Sequence, residues 1–223
     1  MSGRVGSITT GIVSDGLVFN YDAANRACYP KTGTIATDTI NNIAGTLSGP
    51  TFLTNNDGVW NFDGIDDKIT LASDAKYNQL GTGPWTFSIF MKKTGTTPGG
   101  QYDGSFYISA TNRFKFQASD QILNLEIGDS DLEIIDYGSS MVGSWHNITV
   151  VRENNGNALG YVDGILKGTA SYSGKSFSDS NPMLIGYNAQ WLVAEIGNFQ
   201  FYDQALSSNE VLHNYNSLKG RFS

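Results

Sequence analysis

Apolar and polar residues alternate along most of this chain. TFSIFMK (86–92) sets Phe87, Ile89 and Met91 on one side, and RFKFQ (113–117) sets Phe114 and Phe116 against Arg113, Lys115 and Gln117. NITVVR (147–152) turns Ile148 and Val150 inward. A period of two marks strands with one face in a core and the other in water. Further strands are predicted at LVFNYD (17–22), VWNF (59–62), KITL (68–71), SFYIS (105–109), ILNLEI (122–127), LEII (132–135), GILKGT (164–169), MLIGY (183–187) and IGNFQFY (196–202). In LEII the alternation puts Leu132 and Ile134 in the core and the neighbouring acids in water.

Turn residues separate these runs. TTPGG and ENNGN read as loops, and all five prolines fall between strands, where no ladder hydrogen bond is lost. Asp163-Gly164 reads as a two-residue hairpin turn, because both residues tolerate a positive φ. Only one segment has helical spacing. Ser207 and Glu210 form a capping box, after which Val211, Leu212, Tyr215 and Leu218 make an apolar stripe that ends near Gly220. One helix cannot supply the crossovers of a parallel sheet. The expected fold is therefore all-β, an antiparallel two-sheet sandwich with one short C-terminal helix.

At 223 residues this suits one domain, residues 15–223, preceded by an arm of residues 1–14 that is rich in Gly, Ser and Thr and carries no lasting period. The arm reads as an anchor on another subunit. With a net charge of −7 and only small basic spots at Lys92–Lys93 and Lys219–Arg221, no nucleic-acid partner is expected. No run reaches membrane-spanning length, so no membrane insertion is expected. The first residues lack a signal-peptide core, which reads as a protein kept in the cytoplasm or released by another route. Cys28 is the only cysteine and reads as a small buried apolar side chain.

Four stretches in order carry a resemblance: FDGIDDKITL, GPWTFSIFMKK, SWHNITVVRENNGNALGYVDGILKG, and the tail from MLIGYNAQWLVAEIGNFQFY to LKGRF. Together, over roughly residues 15 to 222, they resemble the concanavalin-A-like, laminin-G-like jelly-roll domains. GLVFNYDAANRACYPKTGT and ALSSNEVLHNYNSLKGRF look like the single-domain versions among tailed-bacteriophage structural proteins. The resemblance implies two curved antiparallel sheets of about six or seven strands each. It also implies a virion protein made in the host cytoplasm, oligomeric or assembled, that meets other virion proteins through its arm.

Glycanases of this fold carry three alternating carboxylates on one strand, as Glu-x-Asp-x-Glu. The nearest stretch here is NLEIGDSDLEIID, where Gly128 follows Glu126 and a turn at Gly128-Asp129 separates Glu126 from Asp131 and Glu133. No enzyme is expected. Trp60, Trp85 and Trp145 adjoin strong strand patterns and read as core. Trp191 differs: it lies between strands beside Tyr187, Asn188 and Gln190, a polar-rimmed aromatic loop suited to a sugar ring, and Tyr102 with Asp103 forms a second loop of this kind.

No cofactor is required. Calcium is the second reading, with Asp22 and Asn25 plus Asp66 or Asp67 as oxygen ligands, while the first reading of Asp63, Asp66 and Asp67 is that they shape a turn. The expected function is a non-enzymatic virion structural protein that decorates a capsid or tail surface. The alternative is a lectin-like protein that adheres to host glycans, and a glycan hydrolase ranks below both.

Overall fold

A computed structural model describes residues 11–95, 102–109 (backbone only), 112–117, 121–187 and 191–222. It is an all-β sandwich of two eight-stranded antiparallel sheets, two strands in a small third sheet, and the C-terminal helix. In spatial order the first sheet runs Ile165–Ser171, Asn157–Val162, Trp145–Arg152, Trp85–Lys93, Val193–Tyr202, Val59–Asp63, Thr51–Leu53. The long Val193–Tyr202 strand uses one edge twice. Its first half pairs with Val59–Asp63 and its second with Leu17–Asp22.

The second sheet runs Ser130–Asp136, Ile122–Ile127, Asn112–Gln117, Tyr102–Ser109, Leu184–Ile185, Lys68–Leu71, Ala44–Ser48, Ile35–Thr37. Both sheets are wider than the six or seven strands expected. The additions are short pieces such as Ile35–Thr37, Thr51–Leu53 and Leu184–Ile185, too brief to show a period.

The inward faces meet in one aromatic core. Phe19, Tyr21, Trp60, Phe62, Trp85 and Phe87 come from the first sheet; Ile69, Leu71, Phe114, Phe116, Leu123 and Leu125 come from the second. Tyr21 stacks on Phe199 with ring centroids 4.8 Å apart, and Trp85 lies 4.7 Å from Phe177. Burying each such side chain stabilises the fold by about 1.5–3 kcal/mol. Cys28 is buried as expected, and burial pushes its thiol up to about 11. Arg152 is fully enclosed and donates to the carbonyls of Gly81, Tyr172 and Lys175, fastening the small third sheet to the sandwich.

The helix, Ser208–Leu218, carries the predicted capping box. It lies on the outer face of the first sheet, with Val211 and Asn214 as its buried residues. Leu212, placed in the buried stripe by spacing, is 42% exposed, and Asn214 takes the inward place because it has partners there. Its amide donates to the Tyr202 hydroxyl (3.0 Å), and its carbonyl accepts the Val13 N–H (2.8 Å). Ile12 and Val13 thus join the domain, although spacing put them in the arm. Residues 1–10 of that arm lie outside the described residues. Beneath the helix, Ser88, Asn147 and Thr149 hydrogen-bond one another and keep a polar patch satisfied out of water. Among the described residues no helix is long and apolar enough to cross a membrane.

Candidate functional site

Two surface features have the chemistry of a binding site. The first is at the end of the sandwich where Val59–Asp63 turns into Lys68–Leu71. Here Asp63, Asp66 and Asp67 bring carboxylate oxygens within 4.8 Å of one another. The hydrogen bonds are those of a turn. The Asp63 N–H donates to Asp67 Oδ2 (2.8 Å), and the Ile65 N–H donates to Asp63 Oδ1 (2.8 Å). Asp67 is buried, and burial together with its acidic neighbours pushes its carboxyl up.

Asp22 and Asn25 do not join this cluster. Asp22 pairs across from Asn198 and Asp63 from Val193, five residues apart on one strand, roughly 16 Å at strand rise. The Asp22 carboxylate instead holds Arg221 Nη1 (2.6 Å) and the Ala24 N–H (2.9 Å), while Asn25 Oδ1 accepts the Ala27 N–H. Of the four predicted calcium ligands, only Asp66 and Asp67 therefore lie together, joined by Asp63.

Beside the acidic turn stands the ring pair. Tyr187 and Trp191 form an isolated β-bridge, half-buried, with centroids 4.5 Å apart and planes at 49°. Lys68, the residue after Asp67, holds its Nζ 5.9 Å from the Tyr187 ring and 5.7 Å from the Trp191 ring. The Leu192 N–H donates to the Gly186 carbonyl (3.0 Å) and fixes the base of the pair. The fold therefore brings the predicted Tyr187 and Trp191 together and sets Lys68, the chain neighbour of Asp67, beside them. Lys68 carried no signal beyond its strand position and was missed. Asn188 and Gln190 lie outside the described residues. Tyr102 and Asp103, read as a loop, open the Tyr102–Ser109 strand, opposite Gln117 and Phe116, and their side chains also lie outside the described residues.

The second feature is a cleft of about 370 Å³ between the C-terminal helix and the outer face of the first sheet, lined by Phe90, Trp145, Asp163, Tyr215, Lys219, Gly220 and Phe222. Phe222 stacks on Phe90 (4.5 Å, 14°) and leans on Trp145 (4.7 Å). Tyr215 lies parallel to Phe90 at 6.1 Å. Trp145 is half-buried here rather than in the core, because it starts its strand on the outward phase. Burial and then the nearby Asp163 push the Tyr215 hydroxyl up. Asp163 sits in the predicted hairpin turn, with φ of 54° at Asp163 and 78° at Gly164. Its Oδ1 accepts the Asn147 N–H (2.9 Å), and its Oδ2 meets His146 Nδ1 (2.8 Å).

The acids read against catalysis are hairpin residues, as the Gly128-Asp129 turn required. Glu126 is bound by Arg113 Nε (2.6 Å) and Lys115 Nζ (3.3 Å), and Asp131 by Lys115 Nζ (2.6 Å). Lys115, expected in water, is buried by these contacts. Leu132 is 38% exposed while Ile134 and Ile135 are both buried, because a register shift opposite Leu123 and Asn124 breaks the alternation.

Comparison with known proteins fits this architecture. The family model described as the concanavalin A-like lectin/glucanases superfamily matches residues 62–212. No curated protein is significantly similar in sequence. Among solved structures, the fold is similar to a Trypanosoma rangeli sialidase in complex with the inhibitor DANA (TM-score 0.69, 13% identity, 92% of this chain and 33% of that one). It is similar to the binding domain of Paraclostridial mosquitocidal protein 1 (TM-score 0.70, 16% identity, 91% and 52%). It is also similar to the botulinum neurotoxin serotype D binding domain (TM-score 0.69, 14% identity, 91% and 52%). The chain spans about a third to a half of the length of these structures. With more than half of its residues matched by the family model, the chain belongs to the concanavalin A-like lectin/glucanase superfamily.

Proposed function

We propose that this domain is a non-enzymatic binding module that holds cell-surface glycans on the Tyr187–Trp191 ring pair. The observation that carries this reading is the pair itself: two half-buried rings 4.5 Å apart, with the Lys68 ammonium above them. A pyranose offers an apolar face to such rings and hydroxyls to the charged groups around them. The similar structures, a sialidase and two toxin binding domains, lend support in kind. A non-catalytic role is supported by Glu126 and Asp131, whose carboxylates are tied to Arg113 and Lys115 rather than set apart as an acid and a nucleophile.

The test is a glycan array probed with the wild type, Trp191→Ala and Tyr187→Ala, each in calcium and in a chelator. Binding should be present in the wild type, lost in both variants with folding intact, and indifferent to calcium. An array without hits in either condition removes the glycan reading.

A second reading, decoration of a tailed-phage capsid or tail, is favoured by the way the chain leaves the arm. Gly11 O meets His213 Nε2 (2.8 Å), and Val13 O accepts from the Tyr202 hydroxyl (3.1 Å), so Gly11 and Val13 are held against the terminal helix and the strand beneath it. Deleting residues 1–10 should abolish incorporation into particles and leave the domain folded. Unchanged incorporation sinks the anchoring role.

A further inference from the structure

The cleft under the C-terminal helix is separate from the Tyr187–Trp191 pair, and its rings already hold cations. Lys219 Nζ lies 5.2 Å from the Tyr215 centroid, Lys92 Nζ 5.6 Å from Trp145, and Arg221 4.5 Å from Phe222. Ring faces attract ammonium and guanidinium groups through their quadrupole. Two of these three cations are fixed by carboxylates, Lys92 by Glu195 (3.0 Å) and Arg221 by Asp22 (2.6 Å). Lys219 is exposed and has no carboxylate within ion-pair distance among the described residues. The cation on Tyr215 is therefore the one most easily displaced.

Asp163 supplies the opposite charge. Its side chain is 26% exposed, and each oxygen has one contact and a second lone pair to offer. Beside it the surface turns apolar. Ile165 is 61% exposed, Leu166 50% and Leu212 42%; the turn carrying the first two abuts Leu212, since a Cβ on Gly164 would stand 2.8 Å from Leu212 Cδ1. Exposed large apolar residues are ordinary when scattered singly, whereas a group beside an aromatic cleft marks an interaction surface. Glu195 and Asp22 neutralise Lys92 and Arg221, so at the cleft Asp163 is the negative charge that a basic partner can meet.

We propose that the cleft and its rim dock a basic peptide segment of a partner protein. One Arg or Lys side chain enters between Tyr215 and Trp145 toward Asp163 and displaces Lys219, while an apolar neighbour in the peptide covers Ile165, Leu166 and Leu212.

The experiment follows the Trp145 indole N–H signal of the full ¹⁵N-labelled chain, assigned with Trp145→Phe. The probes are acetyl-Leu-Arg-Leu-amide and its citrulline twin, which keeps the shape and hydrogen bonds of arginine without its charge. The arginine peptide should move the signal and bind at least about tenfold more tightly than the twin, the order expected of one charge-assisted contact. Asp163→Asn, which retains the left-handed turn and an acceptor, should weaken it by a similar factor. Lys219→Ala should tighten it several-fold, and Trp191→Ala should leave it unchanged. Equal binding of the twin, a weakening by Lys219→Ala, or no shift at millimolar peptide overturns the proposal. So does a shift produced by methyl glucoside at this signal but not by the peptide. The twin and Lys219→Ala decide the matter even if Asp163→Asn fails to fold.

Discussion

Gly197 sits in the middle of the longest strand, where a glycine ordinarily weakens a sheet. Its reason for being there is Phe222. A Cβ added at this position would fall within 3.0 Å of the Phe222 ring and 3.2 Å from Arg221 Nη2, so in Gly197→Ala the ring must withdraw. Phe222 is 6% exposed, stacked on Phe90 and leaning on Trp145. Withdrawal forfeits about 2 kcal/mol of burial and about 1 kcal/mol of ring stacking. Alanine returns roughly 0.4–1 kcal/mol by stiffening the unfolded chain, as no positive φ forbids it here. The expected net loss is about 2 kcal/mol, read as a lower urea midpoint at unchanged slope. The decisive measurement is the double-mutant cycle with Phe222→Ala. Once the ring is gone, Gly197→Ala should cost nothing or stabilise slightly. A loss of about 2 kcal/mol that persists in the Phe222→Ala background refutes the packing argument, because the penalty would then belong to the strand itself.

Two further outcomes follow from buried charge. Arg152→Met removes a fully enclosed guanidinium and strands the carbonyls of Gly81, Tyr172 and Lys175; unfolding should show a loss of roughly 3 kcal/mol, and a variant as stable as the wild type would mean that desolvating the guanidinium outweighs its three bonds. Asp67, with its carboxyl raised in the fold, holds a proton more tightly folded than unfolded, so its penalty is absent below the unfolded value and grows as pH rises through the folded one. Asp67→Asn should therefore gain stability relative to the wild type as pH rises above the ordinary carboxylate range, whereas a flat or falling difference would show that the acidic turn is not strained by charge.

The strands that could be read in advance are those whose two faces see different solvents. Trp85–Lys93 and Trp145–Arg152 announced their inward residues because alternate positions meet a continuous core. What the alternation could not show was burial on the second face. Thr86, Ser88 and Phe90 are enclosed along with Phe87 and Ile89, since the helix covers the outside of the sheet there. For the same reason Trp145 was assigned to the core: its strand pattern is strong, but its phase points to the helix side, and only the position of Phe222 reveals the cleft between them. Leu132 failed for a local reason, a shifted register that no residue type advertises.

The candidate sites divide along the same line. Tyr187 and Trp191 were legible because a tryptophan between strands, among polar neighbours, has no core position to fill. Lys68 was not, since a lysine at a strand start is an ordinary solvated residue until the fold sets two rings beside it. The acidic stretch shows the limit most clearly. Asp22, Asn25, Asp66 and Asp67 are the right ligand types, yet ligand type says nothing of register. Register sets Asp22 opposite Asn198, where Arg221 claims it, and Asp63 opposite Val193, where the carboxylates close on their own backbone. Sites carried on one hairpin can thus be read from neighbours in sequence. Sites assembled across strands wait on the pairing, and the aromatic cleft, built from two strands, a turn and the chain's tail, is of the second kind.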